Sequence, residues 1–315
     1  MRYIPEDQSA ALITHELAFA AVREALIAAS QPTAKVFPAV IAHGSDPGNR
    51  FSVKAGITRD VAGVKMGFNW PGNKQRGKPS HNSVTVLFDQ EVGGIAAVVE
   101  AGVVNAYRTS AADAVAVNEL ARPDAKVLTV FGAGNQAGYE CLAVARIRPI
   151  EIVNVVTRDP EGEGAPFIAR LAAAGLKARL VSAREGVEQA DILITATPST
   201  APLFDAAWVR PGTHISCMGC DSKGKQELPV ALLERAQLFC DLPSQSTTIG
   251  EFQHVAAQVA SGATALTPIG QVLTGDAPGR RSTDAITVFD SSGLSLQDLC
   301  VAQALLDLID AREAA

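Results

Sequence analysis

A glycine-rich turn between a strand and a helix carries the strongest chemical signal in the sequence. The apolar run Val127-Leu-Thr-Val-Phe131 predicts a buried strand, and Gly132-Ala-Gly134-Asn135-Gln136-Ala137 follows it at the start of a helical pattern. Gly132 permits the tight turn, Gly134 lets the backbone approach a pyrophosphate, and Ala137 is small enough for close helix–strand packing. The free N–H groups of the helix N-terminus suit phosphates. This predicts a dinucleotide site, with a mere tight turn as the alternative.

The end of the second strand of such a motif bears on which dinucleotide is bound. An acid that binds the adenosine ribose normally lies about 20 or more residues after the first glycine. Here that region holds Thr157 and Arg158, and a hydroxyl beside a guanidinium favours NADP(H). Asp159 keeps NAD(H) open, and Arg158 could also be an ordinary solvated charge. The predicted cofactor is therefore NAD(H) or NADP(H), not resolved.

A basic segment precedes this motif. Residues 50–81 contain one acid, Asp60, and seven bases: Arg50, Lys54, Arg59, Lys65, Lys74, Arg76 and Lys78. The whole chain has a net charge of −6, so this segment stands out. A concave site with one sign of charge concentrates ligands of the other sign, which favours an anionic substrate. The alternative is a solvent-facing edge decorated with lysine.

Composition excludes several classes of function. The 315 residues are 47% hydrophobic, enough for two packed domains. The acidic balance disfavours nucleic acid as a partner, and no apolar run approaches the roughly 18 residues that span a bilayer. Five scattered cysteines and the lack of a signal-peptide pattern indicate reduced thiols and a cytoplasmic protein. Cys217-Met-Gly-Cys220 matches CxxC, but no second pair follows, so no metal is predicted.

The spacing of apolar residues predicts two kinds of domain. A helical pattern over 9–30 is followed by short β-rich runs over 36–100 and a helix over 110–120. From residue 127 onward strands alternate with helices, which is typical of a doubly wound parallel sheet. The predicted fold class is α/β: a Rossmann domain over 121–294, and a mostly antiparallel α+β domain over 1–120 for substrate binding and dimerisation.

Short blocks of residues occur in a recognisable order along nearly the whole chain. They are Gly63-Val-Lys65 with Pro71-Gly-Asn73, Arg108-Thr-Ser-Ala-Ala, Gly132-Ala-Gly-Asn-Gln-Ala137, Thr195-Ala-Thr-Pro-Ser199, Pro211-Gly-Thr-His-Ile, Gly219-Cys-Asp221 with Gly224-Lys-Gln-Glu-Leu228, Gly250-Glu251, and Phe289-Asp-Ser-Ser-Gly-Leu294. With these blocks the chain resembles the ornithine cyclodeaminase/mu-crystallin family. The resemblance implies a homodimer, a closing helix over 295–315 that completes the first domain, and an active site between the domains.

The resemblance also implies roles for individual residues. Lys65 and Arg108 would meet the substrate or its carboxylate, and Asp221 would be the catalytic acid. The cofactor would be lined by Ser80, Arg108, Asn135, Gln136, Thr157, Thr197, Met218, Lys225 and Ser291. The chain departs from the family where an early arginine is replaced by Val40 or its neighbours, and where Val53-Lys54 replaces a Met-Pro pair. Arg50 or Lys54 could have taken over the anion-binding role, and His81 is a further candidate.

These residue types suit imine chemistry. Arg108 can bind a carboxylate with two hydrogen bonds, and Lys65 can bind one or, once desolvated, exchange a proton. The charge of Asp221 could stabilise an iminium ion. The predicted function is NAD(P)H-dependent reduction of a small 2-imino acid, with iminosuccinate reduced to aspartate as the specific hypothesis. Two alternatives remain: a cyclodeaminase that uses bound NAD, and a non-enzymatic protein that binds dinucleotide or ligand.

Structural roles also remain open for the three candidate residues. Lys65 could be a solvated lysine at a strand end, Arg108 an interdomain salt-bridge residue, and Asp221 a turn or helix-capping aspartate ahead of Lys223.

Overall fold

The computed structural model describes residues 1–314, and the side chain of Lys74 and all of Ala315 lie outside the described part. The chain divides into two compact units: unit 1, Met1–Arg108 together with the segment from Leu294 onward, and unit 2, Thr109–Gly293. The first boundary lies inside a helix, Val104–Leu120, whereas the sequence placed it after that helix, at 120.

Unit 1 is built on one seven-stranded sheet. Its order is β1-β7-β6-β5-β4-β2, with β3 also paired to β4, and only β1 and β7 pair in parallel. The prediction of a mostly antiparallel sheet is confirmed. The elements are β1 (Arg2–Ile4), α1 (Glu6–Leu12), α2 (His15–Ala29), β2 (Lys35–Val36), β3 (Val40–His43), β4 (Arg50–Ile57), β5 (Ala62–Asn69), β6 (His81–Asp89), β7 (Gly94–Glu100), the start of α3 (Val104–Leu120), and the last helix, Ser295–Glu313.

The predicted continuous helix over 9–30 was wrong, because the chain forms two helices there. Ile13 is extended, with φ −69° and ψ 135°, and ends α1. The Thr14 hydroxyl accepts a hydrogen bond from the Leu17 amide at 3.1 Å and caps α2. Apolar residues continue at helical spacing across this break, so their period alone did not reveal it.

Unit 2 is an eight-stranded sheet in which every pairing is parallel. Its order is β10-β9-β8-β11-β12-β15-β13-β14, which confirms the predicted doubly wound Rossmann sheet. Parallel strands covered on both faces are apolar throughout, and Ile192, Leu193 and Ile194 are accordingly buried. The elements are β8 (Val127–Phe131), α4 (Asn135–Ala145), β9 (Ile152–Val156), α5 (Ala165–Ala173), β10 (Ala178–Leu180), α6 (Ala183–Gln189), β11 (Ile192–Thr195), β12 (His214–Cys217), α7 (Val230–Leu233), β13 (Gln237–Cys240), α8 (Pro243–Ser246), α9 (Ala256–Ala260), β14 (Leu266–Pro268), α10 (Ile269–Thr274) and β15 (Thr287–Asp290).

None of the helices in the described residues is both long and apolar enough to cross a membrane.

The last helix, α11 (Ser295–Glu313), packs on one face of the unit 1 sheet where two opposed glycines leave room. A Cβ added at Gly56 would lie 2.9 Å from Leu296 Cδ2, and one at Gly63 would lie 2.8 Å from Leu299 Cδ2. Successive residues of a strand point to opposite faces, so Lys54 and Lys65 share this face with the two glycines. The sheet therefore presents its lysines beside the first turn of α11.

We expect Gly63→Ala to lower the free energy of unfolding by about 1–3 kcal/mol, because the added methyl group would overlap Leu299 and the Val86 carbonyl oxygen. Chemical denaturation measures the change. Gly72→Ala is the matched control, since a Cβ at Gly72 meets nothing within 4 Å. Equal unfolding midpoints for Gly63→Ala and the wild type would show that α11 does not pack closely on this strand.

Candidate active site

Two buried cations and one buried carboxylate meet in unit 1. Lys65 comes from β5, Arg108 from the first turns of α3, and Asp298 from the first turn of α11. Asp298 Oδ1 accepts a hydrogen bond from Arg108 Nε at 3.0 Å and lies 3.3 Å from Lys65 Nζ. The side chains of Lys65, Arg108 and Asp298 are 7%, 9% and 4% exposed, so this is an ion cluster within the protein interior.

Two amides complete the cluster. Asn105 Oδ1 accepts hydrogen bonds from Lys65 Nζ at 2.7 Å and from an Arg108 terminal nitrogen at 3.0 Å. Gln297 Oε1 accepts one from the other Arg108 terminal nitrogen at 3.3 Å. A guanidinium has five N–H donors, and these contacts together with the one to Asp298 use three, so two have no partner among the described residues and could bind a carboxylate.

Burial controls the charge of this cluster. It lowers the pKa of Lys65 to about 7, with Arg108 and Lys54 adding to the effect and Asp298 opposing it. Burial would raise the pKa of Asp298, but Arg108 and Lys65 outweigh it and hold that pKa below its usual range. Lys65 can therefore either hold or release a proton near neutral pH, which suits acid–base chemistry.

Three further predicted substrate residues lie on the same face of the sheet as Lys65. Lys54 lies directly opposite Lys65, while Arg50 and His81 both pair with Asn69, from its two sides. Four residues of a strand span roughly 13 Å, so the bases are spread along the face and do not all surround a single ligand group. Arg50 and Lys54 are half-buried and His81 is exposed. The structure thus brings Arg50 and Lys54 onto the surface that carries the ion cluster.

Two other bases of the segment, Lys74 and Arg76, belong to a turn outside the strands of this sheet face. Arg76 is exposed in the 3-10 turn Pro71–Arg76, and the side chain of Lys74 lies outside the described residues. Gly67 lies on the same face, close to the Lys65 side chain. A Cβ at Gly67 would lie 3.1 Å from Ser52 Oγ and 3.5 Å from Lys65 Cε, so a larger residue there would crowd Lys65.

The glycine-rich turn of unit 2 has the geometry that its sequence predicts. Gly132 has φ +110°, and a Cβ there would lie 2.8 Å from the Ala196 carbonyl oxygen, so only glycine fits. Gly134 is the N-cap of α4; no side chain caps it, and a Cβ there meets nothing within 4 Å. Ala137 is buried, and Asn135 begins the helix. These residues fit a pyrophosphate at the helix N-terminus.

The side chain of Gln136, predicted to line the cofactor, is bound to its own helix. Its Nε2 donates to Glu140 Oε1 at 2.7 Å, so in this conformation the side chain packs along α4.

The three residues that bear on cofactor choice lie in the loop after β9, and each has a different environment. Asp159 Oδ1 accepts a hydrogen bond from the Gly162 amide at 2.9 Å and caps the π-helical turn Pro160–Gly164. Thr157 Oγ1 accepts one from the Asp159 amide at 3.3 Å, and Arg158 is exposed. The carboxylate that kept NAD(H) open is therefore engaged with its own loop.

The predicted catalytic acid is paired with a predicted cofactor residue. Lys225 Nζ donates to Asp221 Oδ1 at 2.7 Å and to the Gly219 carbonyl oxygen at 2.9 Å. The side chain of Asp221 is 43% exposed, and that of Lys225 is 22% exposed. Lys225 thus holds the carboxylate against its own loop, a pairing that sequence reasoning did not predict.

The remaining predicted cofactor residues lie in different settings. Met218 is buried, Ser291 Oγ donates to Asp241 Oδ2 at 3.1 Å, and Thr197 follows β11. Ser80, in unit 1, lines a recess, and its buried hydroxyl has no hydrogen-bond partner among the described residues. An orphaned hydroxyl of this kind is consistent with contact to a ligand.

A buried glutamate that sequence reasoning quoted only as part of a motif connects the loops after β11 and β12. Glu227 accepts hydrogen bonds from Thr195 Oγ1 at 2.8 Å, from the Thr197 amide and hydroxyl, both at 2.7 Å, and from the Gly219 amide at 3.0 Å. Burial raises the pKa of Glu227 to about 7, against the hydrogen bonds from Thr197 and Thr195. Glu227 therefore links the loop after β11 to the start of the loop that carries Asp221.

A second buried acid, Glu251, holds the backbone at Glu227 in place. Glu251 accepts from the Glu227 amide at 2.9 Å, the Leu228 amide at 2.8 Å and Cys220 Sγ at 2.8 Å, and Asp290 accepts from the Glu251 amide at 3.0 Å. The ligand atoms of Cys220, Glu227 and Glu251 lie within 4.8 Å of one another. Because N–H donors point at both glutamates, this cluster is a clamp on the loops.

Comparisons with known proteins agree with this architecture. The family model described as ornithine cyclodeaminase/mu-crystallin family matches residues 9–313. The chain is 36% identical to an iminosuccinate reductase of Paracoccus denitrificans over 311 residues, which cover 98% of this chain and 96% of the relative. The crystal structure of the Paracoccus denitrificans iminosuccinate reductase in complex with NAD⁺ is similar, with a TM-score of 0.91, 35% identity, and coverage of 99% of this chain and 97% of that chain.

An archaeal alanine dehydrogenase dimer with bound NAD is also similar, with a TM-score of 0.90, 30% identity, and coverage of 99% of this chain and 97% of that chain. The family match extends over nearly all the described residues, including the ion cluster of unit 1 and the glycine-rich turn of unit 2. The chain belongs to the ornithine cyclodeaminase/mu-crystallin family.

Proposed function

We propose that this protein is an NAD(P)H-dependent reductase of small 2-imino acids, and that its substrate is an imino-dicarboxylate such as iminosuccinate, which gives aspartate. The observation that carries the proposal is the basic sheet face of unit 1, where Arg50 and Lys54 extend the buried cluster of Lys65 and Arg108. The similarity to a relative named as an iminosuccinate reductase supports the same substrate class.

Each residue of the cluster has a distinct task. Arg108 directs its two remaining N–H donors at the α-carboxylate, because Asp298, Gln297 and Asn105 fix the other three. Lys65 adds a second positive charge, and its pKa of about 7 lets it exchange a proton during turnover. Fixed donors of this kind hold the substrate in one orientation.

Gly132, Gly134 and the uncapped N-terminus of α4 would hold the pyrophosphate of the dinucleotide at the turn between β8 and α4. The chemistry that a reduced nicotinamide supplies is transfer of a hydride to the imine carbon; the nitrogen carries a proton and the product is the amine. Asp221, held by Lys225, is the acid that exchanges this proton.

The basic face disfavours a cyclodeaminase. Such an enzyme must hold the distal ammonium of a diamino acid, which calls for an acid. Asp298, the carboxylate beside these bases, contacts Lys65 and Arg108, so it lies at the end of the face that we assign to the α-carbon and not at the distal end. Arg50 and Lys54 would repel an ammonium group and attract a second carboxylate.

We further propose that the protein is a homodimer that associates through the other face of the unit 1 sheet. The residues there that alternate with the basic face are apolar and only half-buried: Phe51, Val53, Val64, Met66 and Phe68. A relative named as a dimer supports this assembly. Sedimentation equilibrium of the wild type and of Met66→Lys tests it.

We also assign the protein to the cytoplasm, with support from five cysteines that are all free. Cell fractionation tests the assignment.

The wild-type protein should prefer the dicarboxylate. We expect kcat/KM for iminosuccinate to exceed that for the imine of pyruvate by at least about 10², because Arg50 and Lys54, half-buried on this face, lose a charged partner when the second carboxylate is absent. Arg50→Ala should lower only the value for iminosuccinate, and Arg76→Ala, in the exposed turn, is the matched control. Equal values for the two substrates would mean that the bases face solvent.

Asp221→Asn should abolish most turnover, by about 10²–10⁴, because the variant lacks the group that exchanges the proton. Dinucleotide affinity, measured by fluorescence titration, should stay near that of the wild type. Asp284→Asn removes an exposed carboxylate of the same unit and serves as control. Wild-type kcat in Asp221→Asn would remove this residue from the mechanism.

Arg158→Ala tests the choice of dinucleotide. If the guanidinium contacts a 2′-phosphate, the variant should bind NADPH more weakly by about 1.5–3 kcal/mol, as for a lost hydrogen bond to a charged group, and should bind NADH as before. Lys177→Ala, which removes another exposed cation of unit 2, controls for general electrostatics. Equal effects on both dinucleotides, or none, would show that Arg158 faces solvent.

A further inference from the structure

Two neighbouring side chains in the first turn of α11 each turn one atom away from every partner that the described residues offer. These atoms are Gln297 Nε2, a donor, and Asp298 Oδ2, an acceptor. Gln297 is 0% exposed and Asp298 is 5% exposed, so solvent does not satisfy either atom. Buried polar atoms are nearly always hydrogen-bonded in native proteins, to protein or to bound water, so this donor and this acceptor each require a partner.

The opposite atoms of both side chains are engaged, which fixes how each side chain is oriented. Gln297 Oε1 accepts from Arg108 and from the Leu294 amide, both at 3.3 Å. Asp298 Oδ1 accepts from Arg108 at 3.0 Å and lies 3.3 Å from Lys65 Nζ. A rotation that exchanged the two atoms of either side chain would place a donor against Arg108 or would only exchange equivalent oxygens, so the arrangement is locked.

A ligand that pairs with both atoms presents an acceptor oxygen and an N–H donor. A 2-imino acid does so, because its α-carboxylate and its protonated nitrogen lie on adjacent carbons, and so does the 2-amino acid product. Resting on the proposed function, we propose that Gln297 Nε2 donates to the substrate α-carboxylate and that Asp298 Oδ2 accepts a hydrogen bond from the substrate nitrogen.

This contact gives Asp298 a task beyond holding Arg108. Its carboxylate is ionised and buried, so a protonated nitrogen beside it is stabilised relative to a neutral one. The carbon of a protonated imine accepts hydride more readily than that of a neutral imine. Gln297 meanwhile adds a third donor to the two that Arg108 offers the α-carboxylate.

Two nearly isosteric substitutions change the orphaned atoms together with the charge of the side chain, and a ratio of two ligand affinities cancels the part of the charge effect that both ligands share. Asp298→Asn keeps an acceptor for Arg108 and turns Oδ2 into a donor, while Gln297→Glu keeps Oε1 and turns Nε2 into an acceptor. Affinities of aspartate and succinate for the NAD⁺-saturated protein report the two contacts separately, because succinate keeps both carboxylates and lacks the nitrogen. The control substitutions on the same helix are Gln303→Glu and Asp307→Asn, which lie away from the cluster.

We expect the wild type to bind aspartate more tightly than succinate, and Asp298→Asn to lower this preference roughly 10-fold or more, as for a lost hydrogen bond to a charged group. Gln297→Glu should weaken both ligands by a similar factor. Lys65 sets one limb of the pH–rate profile, and Asp298 raises the pKa of Lys65. In Asp298→Asn this limb should therefore shift to lower pH. The two controls should match the wild type.

An unchanged preference for aspartate in Asp298→Asn, with both ligands weakened equally, would mean that Asp298 only positions Arg108 and would overturn the inference. Wild-type binding in Gln297→Glu would overturn it as well, and this variant decides the matter if Asp298→Asn does not fold. Failure of the proposed function is a separate result: the wild type would then reduce no imine, whichever ligand it binds.

Discussion

The carboxylate of Asp298 is the anion on which the arrangement of unit 1 depends. Removing two cations and one anion from water is costly, and the cost is offset only when the charges are paired and hydrogen-bonded. Here one carboxylate oxygen serves both Lys65 and Arg108, while Asn105 satisfies a donor of each. Without that anion two like charges would be buried side by side. A strand and two helices must therefore meet at this carboxylate for the cations to be tolerated.

Backbone packing brings the anion to this point. Gly56 and Gly63 lie opposite each other and let the first turns of α11 approach the sheet closely. Any larger residue at Gly63 would push the helix outward, and Asp298 would then move away from Lys65, which lies two residues further along the same strand. The glycines thus set the distance at which the charges meet, although neither glycine contacts a charge itself.

Unit 2 uses buried carboxylates in another way. Glu227, Glu251 and Asp290 accept hydrogen bonds from backbone N–H groups and from hydroxyl or thiol groups, so their partners are neutral donors of the loops and not cations. The loops after β11 and β12 carry Thr197 and Asp221, whose positions need precise support. Because the acids are buried, their pKa values rise, and loops held in this way are sensitive to substitution of a single acid.

Local patterns carried most of what the sequence could predict. The strand Val127–Phe131 and the turn at Gly132 were identified because their geometry depends on adjacent residues. The role of Asp298 was not predicted, because its partner Arg108 is 190 residues away and no local pattern marks the pair. The pairing of Lys225 with Asp221 and the loop contact of Asp159 were missed for a different reason: side-chain direction in a loop follows from the fold and not from residue type.

That long separation also bears on the order in which the protein can assemble. Unit 2 lies between Arg108 and Asp298 in the chain, so a ribosome completes it before α11 emerges. Contacts between distant residues form slowly, and until α11 docks, Lys65 and Arg108 have no buried anion to pair with. The complete charge pairing of unit 1 therefore requires a segment that is synthesised after all of unit 2.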